Sequence, residues 1–572
     1  MAIKKIQKQE QEQKPEELHN FYTAFYNGEV KIRFDKLKVL NLLRNLGYIW
    51  YVPETTDEAK KGMIIRIRDN RIRVVDIVNA QYAFRDYIRK LPDYPREFAK
   101  KSYDEEGKPS MEPFKFTITP QLIETKMIDN LANLFGGDLM YHLRVDENDN
   151  FLKIKEDTIN EKFLYFNNTA VCVTADGWQL IPYKDLTGGC VWESSILDHD
   201  FEYTEEIGDF ESFVGDICGY DPESTNKEEI AVGRERKRSL MTILGYLMHN
   251  NYECTRRAVI FTDMNKEDAS ESNGRTGKGL LGKALRAVLN RKESDCRYLV
   301  IPGKGFEFKD TRYSAGDIST QLIHIEDVET KKSDDPTHEV IKFDFERFFN
   351  DVTDGCTFRK LHQNPTIHNC KMMISTNHTI NVLTSESKRG RVCIFELTNY
   401  YNADFEPDMK YNRRFFESKW EERDWLQFYS FMIRCAQAYM KYGLVQPDMV
   451  NYASRVIADQ LPGDLVTFLD MKLKETILKR KRREINKRDW FNALIVKYPY
   501  FAKYQQPAFT KWCTQYFKLN RIPSAHTRTT RDNDYVEMFL LYPNPEDSVF
   551  KWIYKEGKKN TGNVKQAKIE GL

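Results

Sequence analysis

Residues 270–285 read "SESNGRTGKGLLGKAL", a glycine-rich loop running into an amphipathic helix. Loops that cradle phosphates follow G-x-x-x-x-G-K-[ST]; here Ser272 stands at the first glycine and Gly279 at the hydroxyl position. Gly274, Gly277 and Gly279 allow backbone N–H groups to approach phosphate oxygens, and Lys278 supplies the neutralising charge. A bare G-x-x-G-K recurs by chance in roughly one of six chains this long, so the surroundings decide. An apolar strand, "RRAVIFTD" (256–263), precedes the loop and "LLGKALRAVL" follows it. That is the strand, loop and helix order the chemistry requires. The nucleotide contacts read from it are Gly274, Arg275, Thr276, Gly277, Lys278, Gly279 and Leu280.

Three further elements follow in order. "TQLIHIEDV" (320–328) is an apolar strand ending in Glu326 and Asp327, the acids that would polarise an attacking water, with Glu326 holding Mg²⁺ through water. "CKMMISTNHTI" (370–380) is a second strand with Asn377 at its tip, placed to orient water. "SESKRGRVCIFEL" (385–397) brings Arg389 and Arg391 ahead of a third strand, as cations for the γ-phosphate of a neighbouring subunit.

Over residues 210–445 these elements resemble the superfamily 3 helicases of the AAA+ class, and more closely the primase-helicase proteins of bacteriophages and mobile elements. "GRTGKG" matches Walker A, "IHIEDV" Walker B, "DVTDGCTFRKLHQNP" the B′ segment, "MMISTN" motif C with sensor 1, and "SKRGR" the arginine-finger region; "LGYLMH" and "FDFERFFND" are also familial in character. The resemblance implies an α/β AAA+ P-loop ATPase core with a mostly parallel sheet, and ATP and Mg²⁺ as cofactors. It implies a homohexamer translocating on single-stranded or forked DNA, and a separate primase or polymerase as replication partner. The B′ segment would form a hairpin contacting DNA through Arg359, Lys360 and His362. The departure is Gly279, which cannot ligate Mg²⁺ as a serine or threonine would. An alternative class therefore stays open: an ATP-binding origin-recognition or assembly scaffold with weak or no hydrolysis.

The rest of the 572 residues bounds the setting. The leader 1–19 is rich in Gln, Lys and Glu and reads as disordered. Residues 20–110 read as a small α+β domain containing the charged strand pattern "GMIIRIRDNRIRVVDI", and 111–209 as a β-rich domain. The ATPase core occupies 210–400, a helical lid 401–470, a basic winged-helix-like DNA-binding domain 471–550 and a tail 551–572. Residues 471–540 hold 16 Lys+Arg against 6 Asp+Glu, whereas the whole chain carries a net charge of +1. In that basic module Lys511, Lys518, Arg521, Arg528 and Arg531 would meet phosphates. The ten cysteines form no C-x-x-C pair, which argues against a zinc ribbon, a redox pair of that type or a secreted disulfide framework. No apolar run reaches the roughly 18 residues of a membrane span, and a cytoplasmic setting in a bacterium or phage-infected cell is expected.

Overall fold

A computed structural model describes residues 18–52, 62–103, 107–144, 152–252, 256–264, 275–292, 294–304, 306–317, 319–328, 345–359, 365–377, 390–449, 461–475, 484–520, 522, 524–531 and 534–541. The chain divides into two compact units. One contains residues 1–156, 163–172 and 179–200; the other contains 157–162, 173–178 and 201–572.

In the first unit, the strand Met63–Arg68 returns through the turn Asp69-Asn70 to the strand Arg71–Val74. Both turn residues have positive φ, 50° and 58°, the twist that a two-residue hairpin loop needs. This hairpin is the centre of a four-stranded sheet completed by Tyr48–Tyr51 and Val191–Trp192. Helices Lys36–Asn45 and Ile77–Arg89 start at Asp35 and Asp76, whose carboxylates cap the first-turn N–H groups. A core around Phe21, Phe84 and Phe135 gathers their apolar faces.

One boundary and one secondary-structure expectation from the sequence are corrected by the fold. Tyr94–Tyr103 pairs with Pro109–Ile118 as one antiparallel ribbon, so a boundary at residue 110 falls inside a hairpin. The stretch after it, expected to be β-rich, begins with the helix Pro120–Asp129. Its signal was present: Thr119 accepts from the N–H of Leu122, and Pro120 stands at the first turn, where a missing N–H costs nothing.

The second unit is built on a five-stranded, all-parallel sheet: β1 (Ala258–Asp263), β2 (Tyr298–Pro302), β3 (Leu322–Glu326), β4 (Lys371–Ser375) and β5 (Val392–Leu397), in spatial order β2-β3-β4-β1-β5. β1, β4 and β5 are buried at every residue, because a parallel sheet is covered on both faces and its strands read as apolar runs rather than alternating ones. One face, with Ile260, Ile323, Ile325, Ile374 and Ile394, packs against Tyr313, Phe345, Phe348 and Phe358.

Flanking helices include α1 (Asp209–Cys218), α2 (Lys227–Met248), α3 (Lys278–Leu289) and α4 (Glu422–Tyr442). At the α2–α4 crossing, a Cβ on Gly245 would collide with the Cys435 carbonyl oxygen, so only glycine permits that approach. Between β3 and β4, Cys356–Phe358 and Thr366–His368 form an antiparallel hairpin.

The C-terminal part of this unit has its own core. α5 (Gly463–Leu473), α6 (Lys487–Lys497) and α7 (Gln506–Leu519) surround a three-stranded antiparallel sheet of β6 (Glu484–Asn486), β7 (Ser524–Arg531) and β8 (Asp534–Leu541), ordered β6-β8-β7. Leu465, Phe468 and Leu469 of α5 pack with Phe491, Phe509 and Phe539, so α5 belongs to this module and a lid boundary at 470 cuts through it. Among the described residues no helix is long and apolar enough to cross a membrane.

Candidate nucleotide site

Arg275 adopts φ 74° and Gly277 φ 102°, and the chain then enters α3 with Gly277 as its N-cap. Two left-handed residues within three turn successive N–H groups toward one side, the geometry of an anion nest, and the positive end of the α3 dipole lies behind it. A side chain at 277 is barred twice, by φ and by the Phe213 ring, which a Cβ would meet at 2.6 Å.

The loop cation is tied down. Lys278 donates to Asp263 Oδ1 at 2.5 Å, and the Thr276 hydroxyl donates to the same oxygen at 2.5 Å. Asp263 ends β1 and is 1% exposed; Lys278 is 7% exposed. Asp263 is the site residue that reading the sequence missed, although it closes the quoted "RRAVIFTD" as an acid on an otherwise apolar strand.

Glu326 ends β3 at the same edge of the sheet. It is half-buried, and desolvation, reinforced by Asp327 and opposed by Lys283, raises its carboxyl above the ordinary range. Among the described residues, a Cβ on Gly279 would have one neighbour within 4 Å outside its own helix, Oε1 of Glu326 at 4.0 Å. The space left by the missing hydroxyl therefore opens onto the Glu326 carboxylate. Asp327 adopts a left-handed φ of 54°, with its N–H weakly directed at Ser375 Oγ, 3.4 Å away.

Behind Glu326, His324 bridges the Tyr298 hydroxyl (2.6 Å) and Ser375 Oγ (2.9 Å), and burial lowers its pKa to about 3. Thr376, fully buried, donates its N–H to the Phe261 carbonyl and its hydroxyl to the Val328 carbonyl, tying the end of β4 to β1 and β3. Because β4 lies between β3 and β1, Asn377 comes between the strand ends that carry Glu326 and Asp263.

Lys278, Glu326, Asp327 and Asn377 thus meet at the carboxyl edge of the sheet, where parallel α/β sheets collect their ligands. Arg391 does not join them. It precedes β5, its carbonyl accepts the N–H of Ala258 at the amino edge, and its guanidinium lies over Phe349. That is roughly 20 Å away along the strand at about 3.3 Å per residue. Arg275 is engaged with Glu406 at 2.7 Å. Gly274 and Arg389 lie outside the described residues.

Of the DNA contacts expected, Arg359 leaves the hairpin strand exposed and lies 3.5 Å from Asp310; Lys360 and His362 lie outside the described residues. Lys511 and Lys518 are exposed on α7, and Arg528 and Arg531 belong to β7; Arg521 is outside.

The donor set suits a hard cation held partly by substrate. Mg²⁺ takes one or two carboxylates and completes its octahedron with water and phosphate oxygens. Glu326 supplies the carboxylate next to the loop, and among the described residues no group of three or more His, Cys, Asp or Glu forms a self-sufficient metal cage. The chain matches no protein-family model and no curated protein.

Proposed function

We propose that this protein is an ATP-driven, ring-forming DNA helicase with an AAA+ core and a winged-helix-like C-terminal module, acting in the replication of a phage or mobile element. One observation carries the reading: the helix-capping loop with Lys278 faces Glu326 across the carboxyl edge of the parallel sheet, with Asn377 on the strand between. ATP phosphates would displace Asp263 from Lys278 at the N-terminus of α3, and Glu326 would hold Mg²⁺, which would neutralise phosphate charge. The Glu326 carboxylate, held above the usual range by burial, is suited to accept a proton from the attacking water.

The location of Arg391 at the opposite edge fits a role toward another subunit's nucleotide rather than its own. The hairpin root enters β4 at that same amino edge, so DNA contact through Arg359 and nucleotide contact through Asn377 would lie at two ends of one strand. In the C-terminal module, α7 would present Lys511 and Lys518 to phosphates, with the β7–β8 hairpin as the wing.

The test is ATP hydrolysis with and without single-stranded DNA, together with unwinding of a forked duplex. Wild type should hydrolyse and unwind. Lys278→Ala and Glu326→Gln should each lose at least about 100-fold in turnover, the usual cost of one preorganised charge at a reacting centre, while Glu326→Gln still binds ATP. A wild type that binds ATP and DNA and forms rings without turnover defeats the helicase reading. The open space at Gly279 favours the second reading, an ATP-binding assembly scaffold, in that event.

A further inference from the structure

The hairpin Met63–Val74 carries a charge pattern that nothing in the nucleotide site uses. Its register places Arg66 directly opposite Arg73 and Arg68 directly opposite Arg71. Directly paired residues of an antiparallel ladder share a face, so four guanidinium groups crowd one side while Ile65, Ile67 and Ile72 pack on the other. Like charges in directly opposed positions oppose folding.

Among the described residues of the first unit, little offsets them: Asp69 lies 3.8 Å from Arg68 and 3.9 Å from Arg71, and Glu193 lies 2.5 Å from Arg73, two acids for four arginines. Arg66 lies over Tyr48 and Arg71 over Tyr183, placements that orient a guanidinium plane without cancelling its charge. The Nε groups of both are buried without a hydrogen-bond acceptor among the described residues. The outer members remain open, with the Arg68 side chain 76% and Arg73 67% exposed.

We propose that this arginine face binds the phosphodiester backbone of a nucleic-acid strand. Two-residue steps of about 6.8 Å along each strand, and about 5 Å between opposed residues, make a grid of cations. A single phosphate can satisfy one or two members of such a grid, whereas a chain of phosphates engages all four. The guanidinium fork suits phosphate geometry, and the interaction reads charge rather than base sequence. The surface belongs wholly to the first unit, and no residue of the candidate nucleotide site contributes to it.

The experiment uses the full-length protein without nucleotide and a fluorescein-labelled, mixed-sequence single-stranded 20-mer, with anisotropy followed over a salt series. Arg68→Gln/Arg71→Gln should weaken binding and lower the magnitude of the log K against log salt slope by about 1.4, that is, about 0.7 for each single-strand phosphate that the variant no longer neutralises. Arg68→Lys/Arg71→Lys should retain the slope. Photo-crosslinking with a bromouracil 20-mer should mark peptides within 62–74. Should the double variant fail to fold, the exposed Arg68→Gln alone should lower the slope by about 0.7.

An unchanged slope in a folded variant, or crosslinks confined to the hairpin at 356–368 and the module after 484, overturns the proposal. So does loss of binding to anionic phospholipid vesicles in the variant while DNA binding is unaltered. Because no ATP is present, absence of ATPase activity would leave this result standing, and the helicase reading would fail separately.

Discussion

Asp263, the last residue of β1, holds the ammonium group of Lys278 at 2.5 Å with both side chains nearly sealed from solvent. Lys278 thus has an internal counter-ion, and under the proposed function nucleotide would have to compete with a carboxylate for it.

Asp263→Asn keeps the shape but removes the charge facing Lys278. Losing one partner of a buried ion pair costs about 3–5 kcal/mol, so the nucleotide-free variant should melt well below wild type. ATP phosphates would restore a counter-charge, and the rise in Tm on adding Mg-ATP should exceed that of wild type. Thermal denaturation with and without Mg-ATP measures both; equal Tm values without nucleotide would refute the counter-ion role.

Gly279→Ser places a hydroxyl where the backbone leaves room, with Glu326 Oε1, among the described residues outside the helix, the one atom within 4 Å of the new Cβ. The position lies in the first turn of α3, where serine is a better helix former than glycine by about 0.5 kcal/mol, so stability should hold or rise slightly. The Mg²⁺ concentration for half-maximal ATP hydrolysis should fall severalfold. An Mg²⁺ dependence identical to wild type would show that position 279 does not face the metal.

Glu326 titrates above the ordinary carboxylate range because burial and Asp327 disfavour its charge, and Lys283 partly offsets them. ATP hydrolysis that needs ionised Glu326 should decline, as pH falls, at a higher pH than for an ordinary carboxylate. Lys283→Met removes the offsetting cation and should move that acid limb further upward. A pH–rate profile of the variant superimposable on wild type would sink this account.

His324 is neutral and enclosed, its pKa lowered to about 3 by burial, whereas in the unfolded chain it titrates near 6.5. Between those values the unfolded chain binds the extra proton. The stability is therefore complete above about pH 6.5 and is lost as pH falls, by up to about 1.4 kcal/mol per pH unit for this one group. His324→Gln should flatten the dependence of urea midpoint on pH between 6.5 and 4, whatever its stability at neutral pH. An unaltered slope would assign the acid sensitivity elsewhere, His249 being another buried histidine with a lowered pKa, about 4.

Local chemistry made much of this protein legible. Apolar runs of five or six residues marked β1, β3, β4 and β5, because strands covered on both faces need no alternation. Glycines at 277 and 279 beside Lys278 marked the loop, and the alternating arginines and isoleucines of 63–74 marked a charged strand, though not the turn at Asp69-Asn70 that folds it into a hairpin. What stayed hidden depends on partners distant in sequence. Pairing across residue 110 and the capture of α5 by the C-terminal core were invisible because backbone pairing and burial are settled by segments that meet only in the folded chain.

The sequence by itself determined which residue types were present for phosphate chemistry, and in what order: Lys278, then Glu326 with Asp327, then Asn377, then Arg391. Only the tertiary structure decided who faces whom. The strand order β2-β3-β4-β1-β5 brings Glu326 and Asn377 to the edge that holds the loop and carries Arg391 to the other, since parallel strands deliver their carboxyl ends to one side. It also decided that Lys278 rests on Asp263, and that four arginines read as an ordinary charged strand stand in two opposed pairs on one face.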